Sequence, residues 1–415
     1  MATDFLETDA LVDAVADASF ERPPALVSNA HVTGLSVARA LSAHGVPVVA
    51  LDRTGDGVAP PSEAVDVAGR VTYPLDDPEG FREDVARVAA ATGHEPVAFP
   101  CMDEWVHAYV RTTPAGVRLP FSGADGVTAV LDKFSLYDLA DELGVPYPET
   151  YRLDRTDPEE AAEALGFPLV VKPARKREME EALGTNVVEV ADREEYRAVL
   201  DAAAEADVAV LAQEKVRVTP GADCSFASYV PPGGGDPLGV VGNARVRHPQ
   251  PFGTSCLVET VDRPQIRERA RSVLSAAGYY GISEAEFVRD ADRDEYVLLD
   301  VNTRPWKWVG LPVAAGANLP MAAYADAAGV EYEREDRREA RWVYLRDYLE
   351  QLVTPGGPPD ALSNETWRAL FSGDFERREA AGRALATGVY SPSDPGPAVR
   401  LLETEFGGSE YYCAC

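Results

Sequence analysis

The chain has 415 residues, enough for two or three domains and a sizeable core. Its formal net charge is −30, with 69 acidic residues against 39 basic ones. A surface this acidic repels nucleic acid and anionic membrane, which excludes both as expected partners. The basic residues are themselves uneven: only 5 are lysine and 34 are arginine. High acidity with lysine nearly absent predicts a surrounding medium of very high salt, where self-repulsion is screened. No apolar run approaches the length of a membrane span. The start, MATDFLETDALVDA, lacks a basic-then-apolar leader pattern. The five cysteines are scattered and odd in number, as expected of reduced cytoplasmic thiols. A cytoplasmic location is therefore expected. The terminal Cys413-Ala-Cys415 is a weak metal candidate, having no further cysteine or histidine nearby.

Residues 1–24 read as an N-terminal extension. From Pro24 the chain gives ALVSNA, a helix from about Gly34 to His44, and VPVVALD ending at Asp52, a βαβ opening. A second cycle follows, with a helix from about Glu79 to Ala91 and then PVAFP. Asp52 invites a dinucleotide reading, but the loop SNAHVTG carries only Gly34 and the three-glycine fingerprint is missing. Asp103 and Glu104 lie just past a strand's carboxyl end, where open α/β sheets bind ligands; they equally suit the start of the next helix. This first α/β region is expected to span residues 25–125.

The second region, residues 126–330, divides into lobes at about 126–215 and 216–330. It opens with the amphipathic helix of DKFSLYDLADELG and continues through the strand FPLVVKP and the loop Ala174-Arg-Lys-Arg177. NVVEV, a helix near 192–206 and VAVLAQEKV follow. Next, EAEFVRDADRDEYVLLDVNTRPWKW (284–308) reads as two strands around an acidic turn. Side chains alternate along strands, so Asp300 and Asn302 share a face. In a bulge-free hairpin centred near Arg293, Glu286 lies opposite Asp300 and projects the same way. Three hard oxygen donors then meet, with Arg304 just beyond. Such a set suits a magnesium ion that is also bound by a nucleotide's phosphates. Asp290, Asp292 and Asp294 mimic the start of an EF-hand loop, but Glu295 stands at the position that needs glycine.

Lysine scarcity singles out Lys133, Lys172, Lys176, Lys215 and Lys307. An ammonium is a compact point charge that reaches into a phosphate pocket, unlike the broad guanidinium fork. Lys172 closes an apolar strand, where lysine is normally avoided. The third region, 331–415, reads as helical and charged, with a packing stripe of Trp342, Tyr344, Leu345, Tyr348 and Leu349.

Four landmarks in order resemble the ATP-grasp superfamily, especially its carboxylate–amine ligase branch, over roughly residues 25–325. They are Asp132-Lys133, the strand lysine Lys172, the QEKV of 213–216, and the carboxylates, amide and arginine at 286, 300, 302 and 304. The tract RVRHPQPFGTSCLVET (245–260) and the WKW of 306–308 look most like the D-aspartate ligase group. The resemblance implies a fold of α/β and α+β parts: a Rossmann-like domain ahead of a two-lobed ATP-grasp domain, here with a helical C-terminal extension. It implies ATP with magnesium as cofactor, manganese being the alternative. Lys133, Lys172 and Lys176 would contact phosphates. Gln213, Glu214, Lys215 and Val216 would line the adenine hinge, with Asp223 toward the ribose. Glu286, Asp300 and Asn302 would hold the metal. Arg304, with Arg245 or Arg247, would stabilise the transferring phosphoryl group. A small carboxylate and an amine would be the substrates, and a homodimer is the assembly that related enzymes suggest. His248, beside Pro249, reads as structural.

Two departures stand out. The stretch 174–186 has glycine only at Gly184, where many members carry a glycine-rich flap, and Asp300 stands where glutamate is usual. Enzymes with another acceptor, such as bicarbonate, and a nucleotide-binding regulator without turnover are the alternatives. The composition also makes a prediction of its own. The free energy of unfolding should rise as KCl is raised from dilute buffer into the molar range, and greatest stability in dilute buffer would contradict the high-salt reading.

Overall fold

The computed structural model describes residues 4–173, 187–249, 253–354, 361–373, 375 and 382–407. The first sheet is parallel and contains β1 (Phe5–Leu6), β2 (Ala25–Ser28), β3 (Val48–Asp52), β4 (Val67–Arg70) and β5 (Val97–Pro100), in the order β1-β4-β3-β2-β5. Its β2, β3 and β5 are buried along their whole length, as expected of a parallel sheet covered on both faces. Residues 5–18, expected to precede the domain as an extension, are part of it. Phe5 and Leu6 pair with Ala68 and Gly69, and the helix Thr8–Ala18 buries Leu11 and Val15.

The second sheet contains β6 (Thr150–Arg152), β7 (Leu169–Pro173), β8 (Val188–Val190) and β9 (Val210–Glu214), antiparallel in the order β6-β9-β7-β8. It forms a small lobe with a separate core that includes Leu169, Val171, Val190, Tyr196 and Ala212. The helix near 192–206 is observed at Arg193–Glu205, and Asp192 caps it by accepting from the amides of Glu194 and Glu195. The expected lobe start at 126 differs from what is observed. The helices Ala124–Leu131 and Lys133–Glu142 bury Val127, Val130, Phe134, Leu136 and Tyr137 in the core of the large sheet, not in that of the small lobe.

The third sheet contains β10 (Asp223–Val230), β11 (Leu238–His248), β12 (Thr254–Val261), β13 (Gly281–Asp290), β14 (Glu295–Asn302), β15 (Ala340–Val343) and β16 (Ala384–Thr387). Its order is β14-β13-β10-β11-β12-β15-β16, antiparallel except for the last pair. The C-terminal region is thus mixed, not wholly helical. Trp342 and Tyr344 are two residues apart, a strand period that sequence reading merged into a helical stripe; Trp342 lies on β15 and the helix starts only at Leu345. Trp342, Tyr344 and Tyr348 of the stripe are buried in the core and Leu345 packs against it, whereas Leu349 is exposed. Two large clusters join the parallel sheet to the two faces of the large sheet. Among the described residues no helix is long and apolar enough to cross a membrane.

The C-terminal region is tied back to the first domain through Asp394. Its carboxylate accepts from Arg39 Nε at 2.9 Å, Ser62 Oγ at 2.6 Å and the Glu63 amide at 3.1 Å. Removing this carboxylate strands a largely buried guanidinium. Asp394→Ala should therefore lower the unfolding free energy by about 3 kcal/mol in denaturant titrations at fixed KCl, with Asp394→Asn losing less.

Candidate active site

The hairpin β13–β14 adopts the expected pairing at its functional end. Glu284 lies opposite Asn302 and Glu286 opposite Asp300. The turn also forms as read: Asp290 accepts from the amides of Asp292 and Arg293 at 2.8 and 3.3 Å. The bulge-free assumption does not hold, because Phe287 pairs with Leu298 and the register shifts there. Leu299 is the extra residue. The bulge sits on an edge strand and turns backbone groups toward the preceding segment. Leu298 N–H donates to Pro146 O at 2.7 Å, and Tyr137 Oη donates to Leu299 O at 2.8 Å. The helix Lys133–Glu142 therefore docks on the bulge. Its N-terminus is fixed by Asp132, which accepts from Phe134 N and Ser135 N at 3.0 and 3.1 Å.

That docking brings Lys133 Nζ to 2.8 Å from Asp300 Oδ1. Lys172 arrives from the small lobe. Its Nζ donates to Gln213 Oε1 at 2.8 Å, and Gln213 Nε2 donates to Tyr137 Oη at 3.1 Å and Thr150 Oγ1 at 2.8 Å. One hydrogen-bonded chain thus links Lys172 through Gln213 and Tyr137 to the hairpin bulge. Gln213 is buried, and all its amide capacity used here is matched. Glu214, next along β9, accepts from the Glu149 amide at 2.7 Å and pairs with Arg293 on the hairpin turn. Lys215 pairs with Glu189, and Val216 follows the end of β9 in irregular backbone leading to the large sheet. The QEKV segment is therefore the strand-end connection between the two lobes.

The acidic face is short of positive charge. Asn302 Nδ2 donates to both Glu284 Oε2 and Glu286 Oε1 at 3.0 Å. Burial, and then repulsion from Glu286, hold the Glu284 carboxyl well above the usual carboxylate range; its bonds to Asn302 and Ser225 and the charge of Arg304 oppose this. Arg247 reaches the same face. Its Nε donates to Asp223 Oδ2 at 2.7 Å and its Nη1 to Gly253 O at 3.3 Å. Asp223, expected toward a ribose, is thus paired with Arg247, and burial raises its carboxyl despite that partner. Arg245, the other arginine expected here, is solvent-exposed. The β11–β12 ladder shifts register between Ala244 and Val246, so the strand's alternation does not carry across both arginines.

Arg304 is 3% exposed and its Nε donates to Asp103 Oδ1 at 2.7 Å. This pair joins the hairpin's exit to the helix Asp103–Thr112 at the carboxyl end of β5. Glu104 instead turns inward and accepts from Tyr73 Oη at 3.2 Å. The WKW segment is packing: Trp306 and Trp308 are buried edge to face with centroids 5.0 Å apart. Lys307 Nζ is enclosed by Asp347 Oδ2 at 2.6 Å, Thr254 Oγ1 at 2.8 Å and the ring of Tyr344. His248 is bonded to Gln351 and Glu350 of the C-terminal helix, in line with a structural role. Asp52 accepts from Ala30 N and Arg53 N, closing its own loop. Lys176, with the stretch 174–186, lies outside the described residues. Sequence reading left Glu284 and Tyr137 unassigned, although each had a signal. Glu284 precedes Glu286 by one strand period, and Tyr137 follows Lys133 by one helical turn.

Among the described residues no three Asp, Glu, His or Cys side chains stand together as a ready metal cage. The donor set still fits magnesium, which takes few protein ligands and retains water and phosphate oxygens. Glu284 and Glu286 converging on one amide is the matching electrostatic sign.

No protein-family model matches the chain. It is 26% identical over 231 residues to a D-alanine–D-alanine ligase of Nitrosomonas europaea, covering 52% of this chain and 69% of that protein. It is 25% identical over 227 residues to the C-terminal section of the carbamoyl phosphate synthase large chain of Methanopyrus kandleri, covering 52% of this chain but only 40% of the relative. In fold it is similar to an N5-carboxyaminoimidazole synthetase from Staphylococcus aureus, with a TM-score of 0.62 at 13% identity over 85% of this chain and 87% of that one. The biotin carboxylase of Campylobacter jejuni, in a nucleotide complex, gives 0.62 at 14% identity over 78% and 76%.

The polar chain between the lobes makes a separable prediction. Gln213→Leu leaves Lys172 and Tyr137 without their shared partner and should cost about 1–3 kcal/mol of unfolding free energy. Tyr137→Phe should cost about 1 kcal/mol, both read by denaturant titration.

Proposed function

We propose that this chain, an ATP-grasp protein of the carboxylate–amine ligase branch, is an ATP- and magnesium-dependent enzyme that joins a small carboxylate to an amine. One observation carries the reading. Lys133, on a helix of the large lobe, and Lys172, on a strand of the small lobe, are held by one hydrogen-bonded framework at a buried acidic hairpin face. Ammonium groups beside hard oxygen donors are what a polyphosphate with a divalent cation requires.

In this reading Glu286, Asp300 and Asn302 hold magnesium, with Glu284 behind them. When bound, the ion supplies charge neutralisation on the phosphate oxygens. Lys133 and Lys172 orient the phosphates, and Glu214 with the following backbone faces the adenine. Arg304 and Arg247 stabilise charge on the phosphoryl group in transfer; Arg245 is not brought to the same face and carries no role here. Phosphoryl transfer asks chiefly for such positioning and electrostatics. The substrate carboxylate oxygen attacks the γ-phosphorus, the bond to ADP breaks, and an acyl phosphate results. The amine then attacks the acyl carbon, phosphate leaves, and the amine's proton passes to solvent or to phosphate. No enzyme nucleophile is needed. A reducing, cytoplasmic setting is supported by the free, buried thiols of Cys101, Cys224 and Cys256.

The test is ADP release in molar KCl across a panel of acids and amines, each alone and together. Release that requires both supports the ligase. Release with bicarbonate and no amine points to another acceptor, and nucleotide binding without release under every mixture overturns the reading. With a working pair in hand, Asp300→Asn should lower turnover by at least about a hundredfold while the far-ultraviolet spectrum is retained. Unchanged turnover would remove Asp300 from the metal site.

A further inference from the structure

Phosphate contact alone does not account for where Lys133 stands. Its ammonium lies 2.8 Å from Asp300 Oδ1, and the two side chains are only 8% and 18% exposed. On the same face the neutral Asn302 amide donates to Glu284 and Glu286, and the Arg247 guanidinium, paired with Asp223, lies in the field of both. Lys133 is thus a cation placed directly on Asp300, one of the carboxylates proposed for a divalent cation. An ammonium on Asp300 and a divalent cation on the same carboxylate repel one another and share one negative charge, so each weakens the hold of the other.

The surroundings make Lys133 the member of the pair that moves. Asp300 is on a strand whose neighbouring Leu299 carbonyl is fixed by Tyr137, and its own Oδ1 also accepts from Val301 N at 3.0 Å. The backbone of Lys133 is fixed by the Asp132 cap, but its charge rides on a flexible four-carbon stem. We infer that Lys133 is the resident counter-ion of the cation site: it occupies Asp300 while no nucleotide is bound and yields it when phosphate oxygens take the ammonium. This rests on the reading of Glu286, Asp300 and Asn302 as the cation's oxygens. Cation affinity is then suppressed in the free protein, and nucleotide and cation favour one another's binding, reciprocally as linkage requires. The free protein is spared a buried, uncompensated cluster of negative charge.

The experiment reads Mn2+ binding directly, by the paramagnetic signal of the free ion, in molar KCl and without nucleotide. Lys133→Met should bind Mn2+ at least about tenfold more tightly than the wild type, since a competing cation has been removed. The double variant Lys133→Met/Asp300→Asn should lose that gain, which assigns it to this site. Lys133→Gln keeps a polar group beside Asp300 and carries the test if the methionine variant does not fold. Equal or weaker Mn2+ binding in the folded single variants overturns the inference. If the wild type does bind Mn2+ with ADP present, the metal-site reading survives that result. Absence of Mn2+ binding even with ADP defeats both.

Discussion

Like charge concentrated on one face of a β-hairpin is the constraint around which this protein is arranged. Glu284, Glu286 and Asp300 project from neighbouring strands onto a shared, largely buried surface, with Asp223 one strand further on. Such a face is unfavourable unless cations or donors meet it. The structure brings them from four separate places. Lys133 comes from a helix seated on the hairpin's bulge, the Asn302 amide from β14 itself, Arg247 from β11, and Arg304 from the hairpin's exit. Burial first, and repulsion from Glu286 second, raise the Glu284 carboxyl on this face.

The same arrangement explains how the lobes communicate. The small lobe has its own hydrophobic core, and Leu211 of β9 reaches from it into the core of the large sheet. Polar contacts add to that link: Lys172–Gln213–Tyr137 inside, and Glu214 with Arg293 at the edge. Such contacts are individually modest and exchange readily with a ligand's. The C-terminal region is held more firmly. It adds two strands to the large sheet and anchors Lys307, His248 and Arg39 through Asp347, Gln351 and Asp394. In a chain of very low lysine content, two of the retained lysines, Lys133 and Lys307, are buried ion-pair partners of aspartate. Each fills a space in which a compact ammonium fits and a planar guanidinium is bulkier.

What could be read in advance was whatever depends on short-range periodicity. Glu286 does meet Asp300, but by way of the bulge: the ladder beside the turn pairs Asp290 with Glu295, and without the extra Leu299 it would set Glu286 against Leu299, so the bulge offsets a turn not centred on Arg293. The Asp290 turn, the helix near 192–206 and the βαβ opening of the first sheet were legible for the same local reason. Periodicity failed where the ladder slips. Arg245 and Arg247 looked equivalent, yet the irregularity after Ala244 exposes one and turns the other onto the site. Trp342 and Tyr344 suited either a strand or a helix until β12 and β16 were seen to pair on either side of β15.

By itself, then, the sequence determined the hairpin, its oxygen-bearing face, the order of Lys133, Lys172 and the QEKV segment ahead of it, and the acidic, lysine-poor composition. Each is encoded within a span of a few residues or in bulk composition. Tertiary structure alone decided that Lys133 pairs with Asp300, that Arg304 meets Asp103 some two hundred residues away, and that burial raises the Glu284 carboxyl above the usual carboxylate range. It also decided that the tryptophans of the WKW segment pack inside. These outcomes depend on which charges share a low-dielectric volume and on which apolar faces cover them. Only the packing of distant segments sets that volume.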